Sequence, residues 1–207
     1  MILNFKDYLK SCYEHLFSMQ PMQDKVYYEK VEEMAIVKAK KEIDMLIQEA
    51  LANNYITTDE ASAMNPYEKG PGKFYGLFKV HKKHIIGTPP PLRPIISGSG
   101  SIIENTGKFV EHHIKSSAIQ HKSYLQDTPH FIRTIEKINQ GPKLPKNAIL
   151  VAEDIQAAYT NIPHEDGIKV LEEKLNERSH QEVPSGLIAR LMKVILKNNL
   201  LETSTNN

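Results

Sequence analysis

At 207 residues, with 40% hydrophobic and 25% charged side chains, the chain has the apolar material for one sizeable core, and its composition excludes wholesale disorder. No run approaches the roughly 18 apolar residues of a membrane span, and the opening MILNFKDYLK lacks the basic-then-apolar order of a signal peptide. The expectation is an intracellular protein, nuclear or cytoplasmic, with no membrane partner. The net charge of +1 averages over an uneven distribution. Between Lys69 and Arg93 stand six basic residues and no acidic one, and from Lys69 to Arg133 ten basic residues face only Glu104, Glu111 and Asp127. Segregation of this kind marks a surface suited to phosphate.

In chain order, the first fifty residues read as helix. Phe5, Leu9, Cys12 and Leu16 share one face of a short segment before Pro21, and Cys12, the single cysteine, reads there as a small apolar residue. A longer helix follows, with Val31, Ile36, Ala39, Ile43, Ile47 and Ala50 along its apolar stripe. Thr57 with Glu60 three residues on has the form of a capping box. From Asn65 to Gly100 prolines and glycines are dense, and apolar residues come in strand-like clusters such as Leu77 to Val80 and Ile95-Ile96. Helical spacing returns at Ile103, Val110 and Ile114, and again after Asp127, a capping residue, where Phe131, Ile135 and Ile138 share a face. Ala148 to Ala152 reads as a buried strand ending near Asp154; two more helical patterns follow, Gly167 to Arg178 and Pro184 to Lys197, and then a polar string from Thr203 to Asn207.

The stretch LVAEDIQAAYTNIP, Leu150 to Pro163, carries the most chemistry. An acidic residue at the tip of a buried strand is costly unless it is hydrogen-bonded or holds a cation. On pattern alone Asp154 is read first as a cap of the turn after the strand. Arg93, Lys73, Lys79, Lys82 and Lys83 are read as solvated charges or as phosphate contacts, and Tyr159 as a packed aromatic. The histidines, His81 with His84 and the pair His112-His113, have no cysteine or carboxylate that completes a zinc spacing.

Three blocks resemble the reverse transcriptases of Penelope-like retroelements: YGLFKVHK (Tyr75 to Lys82), PPLRPIISGSGS (Pro90 to Ser101), and Asp154 with the YTNIP ending (Tyr159 to Pro163). They occur in the family's order, and the resemblance covers about Asn65 to Leu200. It implies an α+β chain, an incomplete right-hand polymerase fold with an N-terminal helical extension. The segments would be a helical region over 1–64, a basic fingers-like region over 65–147, and the start of a palm over 148–207. The implied reaction is RNA-directed DNA synthesis, a nucleotidyl transfer supported by two divalent ions. Asp154 would supply a catalytic and metal-binding carboxylate and the Ile155 carbonyl a further oxygen, a set suited to Mg2+. Arg93 and Lys79 would hold the deoxynucleotide triphosphate, with Tyr159 under its sugar; Lys73, Lys82 and Lys83 would grip template-primer phosphates.

Two departures stand out. Phe78 occupies a position where the family has proline, and Glu153 one where an apolar residue is usual. No Asp-Asp pair follows Asp154 within the 207 residues, so the expectation is a fragment without polymerase activity by itself, and whether a second chain completes it is open at this point. The alternative is a non-catalytic nucleic-acid-binding protein descended from such an element.

Overall fold

Apolar spacing and local caps set most of the helices. The computed structural model describes residues 5–17, 28–82, 88–149, 151–155 and 161–203. Among these, helix α1 (Phe5–Phe17) is followed by α2 (Met34–Ala52) and α3 (Thr58–Ala63). Strands β1 (Gly72–Phe78) and β2 (Leu92–Ser97) come next, then α4 (Glu104–Ile119) and α5 (Thr128–Gln140). Helices α6 (His164–Asn176) and α7 (Ser185–Lys197) lead into a three-residue strand, β3 (Leu201–Thr203). The α+β class holds. None of the described helices is long and apolar enough to cross a membrane.

The caps act as the sequence indicates. Thr57 Oγ1 accepts from Glu60 N–H at 3.2 Å while Glu60 Oε2 accepts from Thr57 N–H at 2.8 Å, so both orphan donors at the start of α3 are satisfied. Asp127 Oδ1 accepts from His130 N–H at 2.7 Å and starts α5.

The main core crosses the boundaries expected at 64/65 and 147/148. Ala39, Ile43, Leu46, Ile47 and Ala50 of α2 meet Val110 of α4, Leu175 of α6, and Leu187, Ile188, Leu191 and Val194 of α7 in one cluster. Helix α7 buries six of its residues, more than any other described helix, because its apolar residues recur at three and four. A bidentate Arg190–Glu49 pair, with oxygens 2.5 and 2.6 Å from the guanidinium nitrogens, ties its outer face to α2.

A second, smaller core joins α1 to the sheet. Cys12, Leu16 and Phe74 are buried together, with Tyr8, Leu92, Ile96 and Leu201 packed around them. The sheet runs β2-β1-β3, with β2 antiparallel and β3 parallel to β1. Strand β3 covers its edge of β1 only from Gly72 to Phe74. Beyond it, Gly76 N–H donates to Tyr8 Oη at 3.0 Å, so a helix side chain takes over where the ladder stops.

One expectation fails. Residues 148, 149, 151 and 152 are in no strand, and Ile149 is 85%, Val151 63% and Ile155 65% exposed. A buried strand needs a partner for its backbone and a cover for its side chains; β1 already has a strand on each side, and no described strand pairs with this run. Helix α5 forms where the spacing of Phe131, Ile135 and Ile138 places it, although these three are exposed and the helix buries no residue.

Ile188 is fully buried among the helices, so Ile188→Ala should cost about 2–5 kcal/mol in urea unfolding. Phe131→Ala on α5 should cost about 0.5 kcal/mol or less. Equal losses at the two positions would show that α5 is packed.

Candidate nucleic-acid interface

Strand β1 has two faces of different character. Gly72, Phe74 and Gly76 are buried while Lys73, Tyr75 and Leu77 are exposed, a strict alternation. The buried face receives α1. At Gly76 a β-carbon would lie 2.6 Å from Leu92 Cδ1 and 3.0 Å from Cys12 Sγ, and at Gly72 one would lie 3.0 Å from Ser97 O. Phe78, the departure from the family's proline, sits edge-on to Tyr8 with ring centroids 6.1 Å apart. Its aromatic ring therefore helps to seat α1.

The opposite face is open. Register sets Lys73 beside Ser97, Tyr75 beside Ile95, and Leu77 beside Arg93; paired residues in a sheet share a face. Tyr75 is 42% and Leu77 50% exposed. Past the strand end, Lys79 N–H donates to Pro91 O at 2.8 Å. That bond extends the ladder and brings Lys79 to the same end of the hairpin as Arg93. Lys73, Lys79 and Arg93 enter no ion pair among the described residues. One carboxylate shares the face: Glu202, exposed on β3 and in register with Lys73. Lys82 is exposed in the turn after β1, its N–H donating to Lys79 O at 2.9 Å. Lys83 lies outside the described residues.

Two other cations of the basic stretch, Lys69 and Lys108, are already engaged. Glu104 draws in Lys108 at 2.8 Å and Lys69 at 3.7 Å. Its second oxygen accepts Gly100 N–H at 2.9 Å, with Gly100 in the left-handed region at φ 76°, where glycine is favoured. The Lys108 hydrogen bond first, then the Gly100 amide, hold the Glu104 carboxyl down to about 2. The SGSG loop thus turns its Gly100 amide inward to a carboxylate. Gly70 N–H donates to Gly100 O and Ile102 N–H to Gly70 O, which fix the loop to the start of β1.

The catalytic expectation is not assembled here. Asp154 and Ile155 lie in the exposed segment without strand structure, so Asp154 has no buried strand tip to occupy and Glu153 no opposite strand face to point to. Tyr159 lies outside the described residues. Asp154 and the Ile155 carbonyl are hard oxygen donors of the kind Mg2+ takes. Among the described residues, however, no three His, Cys, Asp or Glu side chains come together as a metal group. The chain's own described residues do not make a two-ion site.

A separate cleft of about 530 Å³ is lined by Tyr55, Thr57, Glu60, His113 and Glu182, among others. Glu60 is committed to the α3 cap, and burial holds His113 below its usual range. The hairpin face carries more directed chemistry than this cleft.

Sequence reasoning located Arg93, Lys73 and Lys79 but passed over Tyr75, Leu77 and Ile95 as members of the same face. The signal for them was the alternation in GKFYGLF, Gly72 to Phe78. Comparison with protein-family models, curated proteins and solved structures gives no match for this chain.

Glu104 yields a prediction with a definite sign. A carboxylate depressed in the folded state contributes stability above its unfolded value, near 4.5, and loses that contribution as pH falls towards about 2. Glu104→Gln should therefore be less stable than the parent in urea at pH 7, and the gap should close between pH 4.5 and 2. A gap that is constant over this range would contradict the network.

Proposed function

We propose that this chain is the fingers-bearing part of an RNA-directed DNA polymerase of the Penelope-like retroelement kind, and that the outer face of the β1–β2 hairpin grips nucleic acid. One observation carries the reading. Two of the three blocks that resemble the family, Tyr75 to Lys82 and Pro90 to Ser101, pair with each other as adjacent strands. Their pairing sets Arg93 and Lys79 at one end of an exposed face and Lys73 at the other.

The chemistry follows from the side chains. Arg93 offers a planar array of donors that stays charged, suited to a triphosphate or a backbone phosphate. Lys73 and Lys79 act as point charges that position a strand without reading its sequence. In the complete polymerase Asp154 would join a second pair of carboxylates around Mg2+, with Tyr159 near the nucleotide sugar. RNA or DNA template-primer and deoxynucleotide triphosphates are the partners of that complete site.

The exposed setting of Asp154 favours a second reading for the chain taken alone: a nucleic-acid-binding element without catalysis. Both readings share the hairpin grip. Purified chain should bind RNA or primer-template weakly and with little sequence preference, losing affinity steeply as salt rises. Replacing Lys73, Lys79 and Arg93 together by Ala should lower affinity and make the slope of log K against log salt shallower by about 2, at about 0.7 per phosphate contact on a single strand. Unchanged affinity and slope in filter binding would refute the grip.

A further inference from the structure

The hairpin face holds more than charge. Between Lys73 and Lys79 the strand exposes Tyr75 and Leu77, with Ile95 and Arg93 directly across on β2. Among the described residues the Tyr75 side chain has neither a ring partner nor a hydrogen bond. Tyr75, Leu77 and Ile95 are contiguous on this face and rimmed by Lys73, Lys79 and Arg93, and apolar patches with a polar rim mark interaction sites. The flanking cations make a protein partner's apolar surface a poor occupant, since burying Lys73 and Arg93 against it would leave charges unpaired. A polyanion with flat apolar faces answers both features.

We propose that Tyr75 is a stacking platform for an unpaired base, and that the β1–β2 face selects single-stranded over duplex nucleic acid. The proposal rests on the grip described above and adds its substrate class. From Lys73 to Lys79 the strand spans roughly 20 Å at about 3.3 Å per residue, room for the two or three bases that sheet platforms stack. Base faces would lie on Tyr75 and along Leu77 and Ile95, while phosphates reach Lys73 at one end and Lys79 with Arg93 at the other. A duplex hides its base faces within its own stack and offers Tyr75 nothing but backbone. Glu202, beside Lys73, repels phosphate at that end and directs the charge-held part of the strand towards Arg93 and Lys79. RNA and DNA both present π-faces, so the platform tolerates either sugar.

Tyr75 is exposed and can be changed without disturbing the α1 contact. The chain contains no tryptophan, so Tyr75→Trp introduces the sole indole and reports directly on stacking. Binding of ten-nucleotide oligo(dT) and oligo(U), and of a ten-base-pair duplex, would be followed by fluorescence anisotropy with labelled strands. Tyr75→Ala should weaken single-strand binding about tenfold or more, leave the salt slope unchanged, and leave duplex binding as it was. Tyr75→Trp should keep the affinity, and its emission should fall on adding single strand but not duplex. If the Lys73, Lys79 and Arg93 variant loses binding while Tyr75→Ala does not, the stacking platform is wrong and the phosphate grip stands. If the parent chain binds no nucleic acid at all, both are wrong and the face belongs to another partner.

Discussion

The close approach of α1 to Gly76 decides what the hairpin can do. At that point a β-carbon would lie 2.6 Å from the end of the Leu92 side chain and 3.0 Å from Cys12 Sγ; the helix lies directly on the inner face and seals it with Tyr8 and Leu16 around Phe74. The strand alternation then sends Lys73, Tyr75 and Leu77 outward. The hydrogen bond from Gly76 N–H to Tyr8 Oη holds the same contact from the backbone side. A residue larger than glycine at 76 would displace the end of the Leu92 side chain and crowd Cys12 of α1.

Charge is sorted on the same scaffold. Glu104 gathers Lys69, Lys108 and the Gly100 amide at the base of the sheet, which fixes the loop between β2 and α4. Lys73, Lys79 and Arg93 of the hairpin enter no ion pair among the described residues. The helical core of α2, α4, α6 and α7 anchors this arrangement from below through Ile102 and Leu200, the residues that lead out of β2 and into β3. Gly72 N–H donates to Leu200 O at 2.8 Å, so the end of α7 and the start of β1 are joined by backbone.

What the sequence showed was what local chemistry determines. Thr57 and Asp127 mark their helices because a cap is made within three residues. The stripe on α2 is buried as its spacing implied, although the helix starts at Met34 and leaves Val31 exposed ahead of it. What was not legible concerns partners. The spacing of Phe131, Ile135 and Ile138 identifies an apolar face on α5 but not what covers it, and the run Ala148 to Ala152 has the composition of a strand with no neighbour to pair with. Strand β3 escaped notice for the converse reason: Leu201–Thr203 borders a polar tail, and only its register with Gly72–Phe74 makes it a strand. Arg93, Lys73 and Lys79 were legible as cations, whereas their shared face with Tyr75 depended on register, a non-local property.

The central claim is that nucleic acid lies on the outer face of β1 and β2. Photo-crosslinking with an oligonucleotide carrying 4-thiouridine, followed by peptide mass spectrometry, tests it without any substitution. Adducts should concentrate on the peptide from Phe74 to Lys79, with Tyr75 as the modified residue. Adducts confined to α5 or to residues 141–155, with none on that peptide, would contradict the account.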